Sequence, residues 1–541
     1  MKHQDLLGKL AANPVLNSKS WYGLYLIAGL SLVAALLFNH HQIVNARYAI
    51  DYYEGAMSAI TGLIAEGHNP YAYEFLPQFT NPYPPLYNLI AAPLTHWFGN
   101  TLPLHRGVAG GLIIASCLLC YGATLRASGS KTHSLAAAAT LYAVLLYNST
   151  PLASTNSTGI VLFLASTLIP WHYNFSNRSL AASIACGVLA FYGKQYFILG
   201  LGLVSLYLFI AVSKRRAILF GTISAICTAL SLFLVIKSSP YYLDTTVFLL
   251  NTAVKFTHDP YKVMLAQMRF FVEIHTSVLI LIAAVFASNF FLKKASTPEA
   301  AAPHQKAIDF INFDKPLFSF QPNYFVFCFL GTTFAVAFSL GKNAGNYMSY
   351  LFQLMSPFLL IAVFSSFSKT KIPLPFLLPF IFIFFYKTYS ILPTDFAVNN
   401  EKWQHVDKLI ASHDNILASP ILTSLIVEND KPIFHNGLTF FFPLAKGKPQ
   451  IFVRDDEARQ VTTIWDTYNN NLFDRIERQG FDLLILTPMD AQGMFSGNPQ
   501  EMKAPEYLKK YYKISEEVRL DMTDRWVGSF KMQVWVPKTE K

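Results

Sequence analysis

The sequence predicts a polytopic α-helical membrane protein of about 11 spans with a small C-terminal α/β domain outside the bilayer. Two observations lead there. Of the 541 residues 53% are apolar and only 14% charged, whereas average soluble chains carry roughly 25% charge. The charge is also unevenly placed. Residues 393–541 hold 21 of the 32 acids and 18 of the 42 bases, which leaves 11 acids and 24 bases to residues 1–392. This composition excludes a disordered chain and an ordinary cytosolic globule. The basic balance, with a pI near 9.1, belongs to membrane loops and gives no reason to expect nucleic acid as a partner.

A spanning helix needs roughly 20 mostly apolar residues. Candidates lie near 21–38, 107–125, 134–149, 157–172, 179–192, 196–212, 216–237, 271–292, 324–340, 348–366 and 373–392. Residues 84–98 are a twelfth apolar stretch, short and broken by prolines and His96. Parity places it. With a cytoplasmic N-terminus and 84–98 lying at the interface, the inside loops carry 15 Lys and Arg against 7 outside. Counting it as a span puts Lys214, Arg215 and Arg216 outside, against the positive-inside bias. The expected domains are therefore a membrane domain at 1–392, with its first outer loop at 39–106, and a soluble outer domain at 393–541. The first apolar run follows a 20-residue polar lead, so it reads as a span and not as a cleaved signal.

The tail alternates helical patterns near 399–412 and 457–478 with strand-like runs at 415–418, 482–487 and 531–537, which suggests a small α/β domain with some antiparallel pairing. All five cysteines lie in the apolar part, so neither disulfides nor zinc organise the tail.

Acids are scarce on the predicted outer side. Asp51 and Glu54, in 46-ARYAIDYYEGA-56, follow the first span and share a helix face. They are either solvated loop acids or a functional pair beside a cavity. The stretch 67-GHNPYAYEFLPQFTNPYPPLY-87 is dense in Tyr, Pro and Asn. Tyr52, Tyr71 and Tyr83 there and nearby suit a sugar or amphipathic ligand, or an interfacial aromatic belt. Lys194 and Gln195 interrupt two apolar runs. Lys194 either snorkels to headgroups or holds a phosphate as a point charge, with Gln195 adding neutral hydrogen bonds. The loop 340-LGKNAGNYMSYLFQL-354 offers Lys342, Asn346 and Tyr347 on an irregular backbone suited to an anion. Arg106 completes the outer bases at the membrane, as an anchor or a ligand.

The order of these pieces resembles the GT-C superfamily of membrane glycosyltransferases, in particular protein O-mannosyltransferase-like and aminoarabinose-transferase-like enzymes. The resemblance rests on Asp51, the GHNPY turn at 67–71, YPPL at 83–86, His105-Arg106, Lys194-Gln195 and 342-KNAGNY-347. It departs where many relatives carry a second acid and this chain reads 154-STNST-158 with Asn156, and in the spacing of Asp51 and Glu54. It implies a multi-pass bacterial inner-membrane enzyme that takes a sugar from a polyprenyl phosphate on the outer, periplasmic side. The acceptor is then a lipid, glycan or protein. The resemblance also implies that Asp51 is the catalytic base, Glu54 being its neighbour in the pair. Lys194, Gln195, Lys342 and Arg106 are the candidates for the donor phosphate, and Tyr52, Tyr71, Tyr83, Asn346 and Tyr347 for the substrate lining. No metal cage is visible in the sequence and no cofactor is expected. The alternatives are a transporter or flippase of a lipid-linked sugar, or a binding module tethered by the spans.

Overall fold

The computed structural model describes residues 19–148, 152–249, 312–318, 322–335, 351–368, 400–436, 455–488, 504–521 and 529–538, with isolated positions between 265 and 279. The expected spans at 271–292 and 373–392, and Lys342, Asn346 and Tyr347, lie outside the described residues.

The apolar runs fold as helices. These are α1 (Lys19–Asn45), α2 (Tyr52–Ala65), α3 (Leu86–Phe98), α4 (Leu102–Ser128), α5 (Lys131–Asn148), α6 (Asn156–His172), α7 (Asn177–Gly193), α8 (Leu199–Ala211), α9 (Lys214–Ser238), α10 (Tyr324–Ala335) and α11 (Ser356–Phe367). Among the described residues α4 and α9 are long and apolar enough to cross a membrane, and the segments Gln195–Ala211, Tyr324–Ala335 and Gln353–Phe367 are shorter apolar helices. α9 turns Ile226, Leu230, Phe233 and Leu234 outward, each more than half exposed, as a lipid-facing helix does. The stretch 84–98 yields a 13-residue helix with Pro93 inside it, too short to cross by itself. It buries Tyr87, Asn88, Ala91 and Ala92 and exposes Leu89, Ile90, Trp97 and Phe98.

Small residues let the helices approach closely, as packing between lipid-solvated helices requires. A Cβ on Gly193 would lie 2.9 Å from both Cα and N of Gly159, and one on Gly159 would meet the Phe197 ring at 2.1 Å. The first turn of α6 therefore crosses directly against the break between α7 and α8. That break is short: α7 ends at Gly193, Lys194 is extended, and a 3-10 turn Gln195–Ile198 leads into α8.

The tail contributes α12 (Asn400–Ala411), β1 (Ile416–Ala418), α13 (Thr423–Glu428), α14 (Asp455–Glu477), β2 (Leu483–Leu486), α15 (Ala504–Tyr511), β3 (Tyr512–Asp521) and β4 (Ser529–Pro537). The sheet order is β1-β2-β4-β3. β1 runs parallel to β2, and β4 pairs antiparallel with both β2 and β3. Strand β3 and the helices α13 and α15 were not legible in the hydropathy pattern. β3 carries Glu516, Glu517 and Arg519 as an edge strand, and charge on an edge both blunts pairing and hides the strand's apolar alternation.

Residues 46–106 and the tail share their cores. Ala56, Met57, Leu76 and Tyr87 are buried in one cluster with Leu417, Trp465, Leu484 and Trp535. Tyr48, Ala49 and Leu102 belong to a second with Trp403, Val406, Leu425 and Ile485.

The Gly193 crossing is testable. Because the atoms facing it are backbone, Gly193→Ala is expected to destabilise the protein by roughly 1–3 kcal/mol, the usual cost of overpacking. Thermal unfolding of the purified variant checks this, and an unchanged midpoint contradicts the close approach.

Candidate active site

Asp51 sits at the turn between α1 and α2. It is the N-cap of α2, in extended conformation at φ −130° and ψ 143°, and its carboxylate accepts from the Tyr53 N–H at 2.9 Å. Glu54 completes a capping box by accepting from the Asp51 N–H at 3.3 Å, so two otherwise unpaired helix donors are satisfied reciprocally.

The geometry pairs Glu54 with Arg106. Both side chains are essentially unexposed, at 1% and 0%. Arg106 at the start of α4 donates through Nε to Glu54 Oε1 at 2.7 Å and through Nη2 to Oε2 at 2.8 Å. Its other donors go to the carbonyls of Ile43 (3.2 Å), Ala46 and Tyr48 (2.8 Å). All five N–H groups of the guanidinium are thus spent inside the protein, and none is left for a donor phosphate. Glu54 also accepts from the Ile50 N–H at 2.7 Å and, more distantly, from the Ala153 N–H at 3.4 Å. Burial pushes its carboxyl up, but the Arg106 charge and the hydrogen bonds from Arg106, Ile50 and Asp51 outweigh it and hold Glu54 below the ordinary carboxylate range. It is held as the carboxylate partner of Arg106.

Lys194 is different. It is 8% exposed, and among the described residues no carboxylate lies within ion-pair distance of it. Its Nζ sits 4.8 Å from the centroid of the Tyr83 ring and 5.9 Å from that of Tyr196, a cation–π setting. Burial pushes its ammonium down to about 8. The Tyr83 ring in turn meets the Tyr53 ring edge-on at 6.3 Å, and Tyr53 follows Asp51 by two residues. The structure thus joins Lys194, Tyr83 and the Asp51 turn through consecutive ring contacts.

Tyr71 does not line a substrate surface. Its ring is 2% exposed, its hydroxyl donates to the Tyr83 carbonyl at 2.6 Å and accepts from Asn81 at 3.1 Å, and its role is to hold Tyr83. Gln195 spends one amide hydrogen on the Thr246 carbonyl at 3.0 Å. His105 is buried between Asn100 at 2.9 Å and the Tyr87 hydroxyl at 3.1 Å. Only the backbone of Tyr52, the first residue of α2, is described. Beside the Gly159–Gly193 crossing, the buried Asn156 Oδ1 and Thr158 Oγ1 have no hydrogen-bond partner among the described residues. Sequence reasoning noted Asn156 only as a departure and passed over Thr158, and no local signal marks either. Among the described residues no group of three His, Cys, Asp and Glu side chains converges on one point.

The two acids of the first loop are expected to separate in stability. Glu54→Ala leaves Arg106 as an uncompensated buried charge, with an expected loss of roughly 3–5 kcal/mol. Asp51→Asn keeps an equally good N-cap and is expected to cost only a few tenths of a kcal/mol, since Asn and Asp rank together there. Thermal unfolding of both variants is the check, and equal losses contradict the division of labour.

No protein-family model matches the chain, and no curated protein matches its sequence. Solved structures do resemble it. The crystal structure of ArnT from Cupriavidus metallidurans bound to undecaprenyl phosphate aligns over 93% of this chain and 97% of that one, at 10% identity and a TM-score of 0.50. The apo form of the same protein covers the same shares at 12% identity and a TM-score of 0.39. The Archaeoglobus fulgidus oligosaccharyltransferase, tethered by a disulfide to an acceptor peptide containing the NVT sequon, covers 97% of this chain and 75% of its own, at 11% identity and a TM-score of 0.42. At such identities the likeness concerns the fold, and the weight rests on the undecaprenyl-phosphate-bound structure. The chain therefore shares its fold with that ArnT structure: among the described residues, a set of apolar helices followed by a small sheet domain.

Proposed function

We propose that this protein is a glycosyltransferase that moves a sugar from a polyprenyl-phosphate donor to a lipid, glycan or protein acceptor at the outer face of the bacterial inner membrane. The observation that supports it most is a buried lysine without a carboxylate partner among the described residues, linked through Tyr83 and Tyr53 to the turn that carries Asp51. A buried cation is costly unless an anion compensates it, and a donor phosphate is such an anion.

In this reading Asp51 takes the proton of the acceptor hydroxyl while the acceptor oxygen bonds to the anomeric carbon. The bond from that carbon to the phosphate oxygen breaks, the electron pair leaves with the polyprenyl phosphate, and direct displacement inverts the centre. Lys194 stabilises the charge growing on the leaving group, as a preorganised cation in a water-poor site does well. The remaining amide hydrogen of Gln195, together with Asn156, Thr158 and Lys342, supplies further polar groups. Arg106 and Glu54 have no part in the chemistry. The protein sits with its N-terminus in the cytoplasm and its tail in the periplasm, on the strength of the loop cations.

Asp51→Asn is expected to lower turnover by at least about 10²-fold, the lower range for a general base, without loss of donor affinity. Lys194→Ala is expected to weaken polyprenyl-phosphate binding by about 10- to 150-fold, the equivalent of roughly 1.5–3 kcal/mol for a charge-assisted contact. The wild-type affinity is expected to be level below pH 8 and to fall above it, because the ammonium that binds the anion is lost as pH rises through its value of about 8. Bound phosphate shifts that loss upward. Binding titrations on wild type and variant across this range check both, and an equal, pH-independent affinity removes Lys194 from the site.

For orientation, Arg215→Cys and Ser412→Cys place reporters at two exposed positions. A membrane-impermeant thiol reagent on cells with a permeabilised outer membrane is expected to label the second and spare the first. The reverse pattern moves the tail to the cytoplasm.

A further inference from the structure

The turn that carries Asp51 is held from two sides. From the membrane side Arg106 takes the carbonyls of Ala46 and Tyr48. From the other side comes the tail. The Tyr48 ring stacks on Trp403 of α12 at 5.1 Å and 14°. Arg47 Nη2 donates to Asp407 Oδ2, also on α12, at 2.8 Å, and the other oxygen of Asp407 accepts from Asn429 at 3.0 Å. Tyr48 and Ala49 lie in the same buried cluster as Val406, Ile410, Leu422 and Leu425 of the tail. Just past Asp51, Gly55 lies against the start of α13, where a Cβ would come within 2.7 Å of the Ser424 nitrogen and 2.8 Å of the Thr423 Cβ.

We infer that the C-terminal domain is a positioning element of the transferase site, with Trp403 and Asp407 as the residues through which it fixes the Asp51 turn. The inference rests on the reading of Asp51 as the base and extends it to a part of the chain that touches no reacting atom. The physical need is clear. Residues 46–50 form no regular element between α1 and α2, so the backbone leading to Asp51 has no ladder of its own to keep it in place. Arg106 fixes its carbonyls and leaves its side chains to find partners. Tyr48 and Arg47 find them on α12. A displacement of about 1 Å at a reacting group is enough to cost on the order of 10²-fold in rate, so loosening this grip is expected to appear in turnover before it appears in binding.

The experiment uses the full-length protein in detergent or nanodiscs. It measures kcat, polyprenyl-phosphate affinity and the monodisperse fraction for Arg47→Ala, Asp407→Asn, Trp403→Ala, Tyr48→Ala and Tyr48→Phe, with Asp51→Asn run beside them. Arg47 has a side chain 65% exposed, and surface substitutions of this kind usually stay within about 0.5 kcal/mol in stability. A fall in its turnover is therefore not a folding effect, which keeps the test decisive if Trp403→Ala fails to fold. Arg47→Ala and Asp407→Asn are expected to lower kcat about tenfold, and Trp403→Ala and Tyr48→Ala on the order of 10²-fold, all with donor affinity unchanged. Tyr48→Phe retains the stack and loses only a buried hydroxyl without a hydrogen-bond partner among the described residues, so it is expected to keep its turnover. A merely structural tail predicts normal kcat in whatever protein remains monodisperse. If Asp51→Asn is inactive while Arg47→Ala, Asp407→Asn and the folded aromatic variants turn over normally, the positioning role is overturned and the base stands. Tyr48→Phe failing as badly as Tyr48→Ala also overturns it. If Asp51→Asn turns over normally, the base reading falls and the inference falls with it.

Discussion

Around the Glu54–Arg106 pair the rest of the candidate site is arranged. The guanidinium uses all five of its donors, two on one carboxylate and three on backbone carbonyls between residues 43 and 48. The carboxylate in turn accepts from the N–H groups of Ile50 and Asp51 and reaches that of Ala153. One ion pair therefore ties together the end of α1, the cap of α2, the start of α4 and the approach to α6. Buried pairs of this kind contribute little net stability compared with apolar packing, because desolvation offsets the attraction. What such a pair does supply is direction. A planar fork satisfied at every hydrogen admits few arrangements of the carbonyls around it, and here those carbonyls lead directly to Asp51.

Lys194 is the complement of that pair. Arg106 is buried and fully matched, while Lys194 is buried with aromatic faces for company. Ring quadrupoles soften the burial of a cation without neutralising it, and the depressed ammonium records the remainder. Arg106 and Lys194 are thus both buried, in opposite electrostatic settings. The matched one ties four segments of the fold together, and the other lies against two tyrosine rings.

The tail enters the same arrangement through packing. Its clusters include residues from 48–57, 76, 87 and 102, and Asn436 donates to the Thr80 carbonyl at 3.1 Å. Residues 46–106 and the tail therefore pack into shared cores around the turn.

Much was legible in the sequence because it depends on composition and local order. The helical part, the α/β tail with its antiparallel pairing and the shortness of the helix at 84–98 each follow from local hydropathy and charge, whereas the parallel pairing of β1 with β2 does not. Asp51 and Glu54 were legible as a pair three residues apart, but that the first caps the helix carrying the second was not. The partner of Glu54 was not, because Arg106 lies 52 residues away and pairing at that distance is settled only when helices pack. In sequence Arg106 and Lys194 are alike, each a lone cation at the end of an apolar run. Tertiary structure alone decides that one meets a carboxylate and three carbonyls while the other meets two tyrosine rings. It likewise decides that Trp403 and Asp407, unremarkable on an amphipathic helix, lie against a turn up to 360 residues earlier, because which faces of two distant segments become neighbours is a property of the packed chain and not of either segment.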